Sequence, residues 1–156
     1  MCLFKIFHSK NKIKFFVFPL FNYFFVISCV GPAENDDGLL ENLPAIINEK
    51  DYFSLSLFSK DYNDSLVWNL NMDIAETDIL LSTLIIKDLD ILPSDSSSLI
   101  LSSVSGDTIM NVNIFTDILF TSTDSISVIG IPDIIRFNSD NFTGRLEYQL
   151  IKISGI

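Results

Sequence analysis

Histidine and cysteine are nearly missing from this 156-residue chain, which has one His and two Cys. Basic residues are scarce as well: 10 Lys plus Arg stand against 20 Asp plus Glu, a formal charge of −10 and a pI near 4.3. Each shortage excludes a class of chemistry. So acidic a chain has no basic footprint, and no nucleic-acid partner is expected. The single His is His8, and beyond Cys2 the only thiol is Cys29. The body of the chain therefore cannot support Ser-His-Asp or Cys-His catalysis, a His-ligated zinc or copper site, or a thiolate metal centre. No metal or cofactor is expected, and no enzyme activity. Apolar residues are plentiful, at 48% with mean hydropathy +0.39, which argues against a disordered chain.

Acids are also absent from one end. None of the 20 precedes Glu34, whereas Lys5, Lys10, Lys12 and Lys14 are crowded there. From Cys29 onward six bases (Lys50, Lys60, Lys87, Arg136, Arg145 and Lys152) face all 20 acids, a net of −14. The charge-free run from Phe15 to Ser28 follows the basic stretch and is 14 residues long. As a helix it would span about 21 Å, short of a hydrocarbon core of about 30 Å. Basic, then apolar, then small is the order of a signal peptide, expected over 1–28. An uncleaved signal anchor is the alternative, and it leaves the acidic bulk on the same side of the membrane.

The end of that run, Val26-Ile27-Ser28-Cys29, resembles the lipobox of bacterial lipoproteins. An aliphatic residue stands three before the Cys and a small one directly before it, behind a basic and an apolar segment. The resemblance implies that the Cys29 thiol receives a diacylglyceryl group, that cleavage precedes it, and that the new amine takes a fatty acyl chain such as palmitate. One chain buried at ~0.8 kcal/mol per CH₂ holds marginally, and two or three hold firmly. A lone Cys in an exported chain otherwise lacks an explanation. The rival is an ordinary secretory signal, cut near Ala33, giving a secreted domain. Residues 29–50 read as an acidic tether, with room for a short helix over Leu39–Asn48. The early acids Glu34, Asp36 and Asp37 resemble the export signal of surface lipoproteins of the Bacteroidetes group. That implies an outer-membrane location, facing either the periplasm or the exterior.

Residues 51–156 alternate with period 2. Leu66, Trp68, Leu70, Met72 and Ile74 form the clearest half-buried strand pattern. Phe53-Leu55-Leu57, Met110-Val112-Ile114 and Leu146-Tyr148-Leu150 repeat it, and Ile79 to Ile86 is apolar on both phases. Shorter strands are expected at 98–104, 117–121, 125–130 and 133–137. Turn residues punctuate the runs at Lys60–Asp64, Leu92–Ser96, Ser105–Asp107, Ser122–Asp124 and Asn138–Asn141. The expected fold is an all-β antiparallel β-sandwich of about eight strands, immunoglobulin-like in size; a small closed β-barrel is the alternative.

Calcium-type loops are incomplete. Leu66 fills the Gly position after Asp61-Tyr62-Asn63-Asp64-Ser65, and Phe142 interrupts the run from Asn138 to Gly144. Asp64-Ser65-Leu66, Asp107-Thr108-Ile109 and Asp124-Ser125-Ile126 are similar to the O-glycosylation acceptors of Bacteroidetes exported proteins, implying Ser65, Thr108 and Ser125 as sugar sites. Asn63 and Asn141 begin eukaryotic N-glycosylation triplets, relevant only if the lipobox reading fails. The expected function is a non-enzymatic, lipid-anchored envelope module with an unidentified protein or carbohydrate partner. A secreted or signal-anchored β-domain and a small carboxylate-dependent hydrolase are the rivals.

Overall fold

The computed structural model describes residues 38–90, 92 and 95–155. The expected signal over 1–28, the lipid acceptor Cys29 and the first part of the tether lie outside the described residues. Among the described residues, seven strands and one short helix follow in order: β1 Ala45–Asn48, β2 Tyr52–Asn69, β3 Ile79–Lys87, β4 Ser97–Ser103, β5 Thr108–Ile114, β6 Ile118–Ser125, α1 Ile126–Ile129 and β7 Pro132–Ile153. Every strand pairing is antiparallel. The fold is an all-β sandwich.

Its organising feature is a ribbon of two long strands. β2 and β7 pair from Tyr52↔Ile151 to Asn69↔Ile134. On the far edge of β7, Arg145 to Ile153 pair with β3, while Pro132 to Asn138 pair with β4. One half-sheet thus runs β1-β2-β7-β3-β6, and the other adds β4 and β5 to the opposite end of the ribbon. The two halves face each other because the ribbon bends. Phe53 and Trp68 lie fifteen positions apart on β2, about 50 Å along a straight strand. Their ring centroids are 6.5 Å apart.

The bend has a sequence cause. Pairing partners sum to 203 from Tyr52↔Ile151 to Ser59↔Gly144 and again from Asp64↔Ser139 onward, with irregularities between. β2 carries an extra residue between Ser59 and Tyr62, and β7 carries one between Ser139 and Phe142. These are two compensating bulges, one on each strand, and a bulge bends its strand and tightens its twist. Asp61 (φ 50°) and Asn141 (φ 53°) supply the left-handed conformations, which short polar side chains tolerate best. Each bulge also switches which residues point inward. Phe53, Leu55 and Leu57 face the core before the bend and Trp68 after it; on β7 Ile135 and Phe137 give way to Phe142, Leu146 and Tyr148.

The two inner faces form one core that includes Phe53, Leu55, Leu84, Leu99, Phe137, Phe142 and Tyr148, all fully buried. Phe142 meets Phe137 edge to face at 5.5 Å, an arrangement that adds to their area burial. The buried Tyr148 hydroxyl accepts a hydrogen bond from Ser82 Oγ at 3.2 Å. Burial pushes its ionisation far above the ordinary tyrosine range.

Several expectations are corrected. The runs at Lys60–Asp64 and Asn138–Asn141 are not turns between strands but facing parts of the ribbon. The short helix expected over Leu39–Asn48 gives way to β1, which pairs with β2. The strand expected over 125–130 becomes α1, ended by Gly130 at φ 82°. The strand through Leu66–Ile74 stops at Asn69, although Leu70, Met72 and Ile74 still pack on the core. The closed-barrel alternative fails, because the sheet is open and ends at β1 and β6. β3, expected to be buried on both faces, buries Leu80, Ser82, Leu84 and Ile86 and leaves the alternate residues half-exposed.

Candidate functional site

Two of the residues singled out from the sequence, Asn63 and Asn141, meet at the bend. Asn63 Nδ2 donates to Asn141 Oδ1 at 2.8 Å and to the Asp61 carbonyl at 3.1 Å. Its Oδ1 accepts from the Asn141 N–H at 2.8 Å. Ser139 Oγ accepts from the Asp64 N–H and donates to the Asp64 carbonyl. Asp61 N–H reaches Thr143 Oγ1 at 2.9 Å. The side chains supply the bonds that the bulges take from the ladder, which is why polar residues fill this stretch. Tyr62 Oη donates to Asp64 Oδ2 at 3.4 Å. Its pKa is raised, by partial burial first and then by the Asp64 charge. The composition that resembled a calcium loop is therefore used for pairing. Among the described residues, no three His, Cys, Asp or Glu side chains are grouped so as to hold a metal ion.

The three hydroxyls marked as sugar acceptors differ in surroundings. Ser65 Oγ donates to Asn138 Oδ1 at 2.7 Å. Ser125 Oγ shares a hydrogen bond with Ser127 Oγ at 2.9 Å. Thr108 is exposed at the first position of β5, directly after the Ser105–Asp107 turn. The structure brings none of the three together. Asn63 Nδ2, the atom an N-glycan would need, is committed to two hydrogen bonds.

Sequence reasoning missed the concave surface. Between the inner sides of two of the edge strands, β5 and β6, lies a cleft of about 250 Å³. Leu80 and Ser82 of β3 and Leu101 of β4 form its base, and Ile129 of α1 closes part of it. Ile109 and Met110 line one side, with Phe120, Ser122 and Asp124 on the other. Phe120 is 40% exposed although its neighbour across the ladder, Leu84, is fully buried. A second, wider hollow of about 410 Å³ sits at one end of the sandwich, lined by Val104, Ser105, Ile126, Ser127, Gly130, Ile131 and Glu76. Each hollow carries one carboxylate, Asp124 or Glu76. The sequence held a signal for the first: consecutive apolar Ile118-Leu119-Phe120, and no Lys or Arg anywhere between Lys87 and Arg136.

One acid has a clear structural task. Asp78 Oδ2 accepts from the Ala75 N–H at 2.8 Å, and Oδ1 accepts from the Gly155 N–H at 3.2 Å. The Ala75 bond above all, with Gly155 and the Lys152 charge, holds its carboxyl below the usual value of 3.8. It ties the last residues to the turn before β3. A Cβ on Gly155 would lie 2.0 Å from the Thr77 carbonyl oxygen, so only glycine fits there.

No helix among the described residues is long and apolar enough to cross a membrane. No family model matches the sequence, and no curated protein does. Among solved structures, the chain is similar to one described by "Bacillus endospore appendages form a novel family of disulfide-linked pili". That match is 12% identical with TM-score 0.41, over 81% of this chain and 98% of the other. A chain of infectious bursal disease virus Gx strain is 11% identical with TM-score 0.29, over 80% of this chain and 37% of that one. With TM-scores this low, the functional reading rests on the chain's own residues.

Proposed function

We propose that this is a non-enzymatic, lipid-anchored cell-envelope protein of the outer membrane, whose β-domain acts as a binding or structural module. The observation that carries the reading is Val26-Ile27-Ser28-Cys29, set behind a basic segment and a charge-free run of 14 residues. Cys29 receives the lipid, and the acidic segment after it holds the domain off the bilayer. The residue inventory supports a non-enzymatic role: the chain beyond residue 29 has neither His nor Cys. A paired-carboxylate hydrolase needs two acids about 5–9.5 Å apart across a cleft, and each hollow described above holds one. Thr108 is the hydroxyl best placed to carry a glycan. Fractionation of the full chain tests the anchor: the wild type partitions with membranes, and Cys29→Ala releases it to the soluble fraction. A Cys29→Ala protein that stays with the membrane contradicts the lipid anchor and favours an uncleaved apolar segment.

A further inference from the structure

The cleft between β5 and β6 has features of a strand-binding site. β6 pairs only with β3 and β5 only with β4 among the described residues, so each has an edge with unpaired backbone N–H and C=O groups. Exposed edges invite pairing, and proteins commonly block them with Lys, Pro or a covering element. Neither strand contains Lys, Arg or Pro: β5 is uncharged, and the only charge on β6 is Asp124. A strand added to β6 would place every second side chain on the face of Phe120, Ser122 and Asp124, which is the face that lines the cleft. The 250 Å³ available exceeds an apolar cavity of about 150 Å³ that accepts benzene, enough for aliphatic side chains.

Charge selects the occupant. Between Lys87 and Arg136 every charged residue is an Asp: 88, 90, 95, 107, 117, 124 and 133. Asp117 immediately precedes β6 and Asp124 is its penultimate residue, so acids flank the edge at both ends. Two copies would set acid against acid. We propose that the cleft accepts an extended segment of a partner polypeptide, which hydrogen-bonds to β6 as an added strand, sends alternate aliphatic side chains inward and carries Lys or Arg at its ends. This rests on reading the domain as a binding module and is independent of the lipid anchor.

The test uses the full chain in detergent and a short dye-labelled peptide of alternating Val and Thr with paired Lys at both ends. Fluorescence anisotropy at low salt should show saturable binding, and the same peptide ended in Glu should not bind. Hydrogen exchange at saturation should slow the amides of residues 118–125. Asp124→Lys should weaken binding about tenfold, as expected for a surface charge reversal at close range. Asp51→Lys, the same charge change in the β1–β2 turn, should leave binding unaltered. Retained Trp68 fluorescence confirms that both variants fold. Failure of the Lys-ended peptide to bind, equal binding of both peptides, unchanged β6 exchange, or equal loss in the two variants overturns the proposal. Each of these results leaves the membrane partition of the Cys29→Ala variant, and so the anchor, as it stood.

Discussion

Replacing Asn63 with Ala should destabilise the sandwich at the bend. The Asn63 side chain makes three hydrogen bonds, two donated and one accepted; two of them join the bulge of β2 to Asn141 in the bulge of β7, and the third closes on the Asp61 carbonyl within β2. A typical intramolecular hydrogen bond contributes about 1 kcal/mol net. Asn63 is solvent-exposed, so water can serve the groups left behind, and about half of the combined value should be lost. We expect about 1.5 kcal/mol, or about 6 °C in melting temperature for a domain of this size. Trp68 reports the event directly, since its ring lies against Phe53 only when the ribbon is bent. Urea unfolding followed by Trp68 fluorescence should show a lower midpoint with an unchanged slope. Asn113→Ala, at an exposed position of β5, should shift stability by less than about 0.5 kcal/mol. If Asn63→Ala does no more than Asn113→Ala, the bend is held by the core alone and the role given to the polar bulges is wrong.

Other consequences follow from local geometry. Because the Asp78 carboxyl is held below its unfolded value of 3.8, its contribution is present above that value and is lost as pH falls through the lower, folded one. Acid titration of stability should therefore be shallower below about pH 4 in Asp78→Asn than in the wild type; parallel curves would show that the tail clamp is not linked to protonation. Gly144 sits at φ 149° with a would-be Cβ 3.0 Å from Leu89 Cδ2 and 3.1 Å from the Lys87 carbonyl oxygen. Gly144→Ala should cost about 1–3 kcal/mol by thermal melting, and a wild-type midpoint would show that β7 has slack where it leaves the bend.

Strand content was legible because alternation survives in almost every element. Phe53-Leu55-Leu57, Leu146-Tyr148-Leu150 and Met110-Val112-Ile114 each mark an inward face. Connectivity was harder to read. Asp, Asn and Ser at 61–65 and 138–141 carry the composition of turns, and local composition does not distinguish a chain reversal from paired bulges. The distinction lies in long-range pairing, Asn63 with Asn141 and Asp64 with Ser139, separated by 78 and 75 residues. The switch in phase between Leu57 and Leu66 was present in the sequence, but a bulge and a turn both produce it. β1 was obscured by the neighbouring Pro44 and by an apolar pattern too short to fix a period. The cleft was invisible because it joins edge strands that are not paired with each other. Only the consecutive apolar Ile118-Leu119-Phe120 and the missing bases between Lys87 and Arg136 hinted at it.

The anchor is tested most directly by the intact mass of the protein extracted from membranes. The account predicts a chain beginning at Cys29 and heavier than its polypeptide by two or three acyl chains, with any hexose-sized increments lost in Thr108→Ala. An unacylated chain beginning after residue 29 would mean a secreted domain, and one beginning at Met1 a retained signal; either would contradict it.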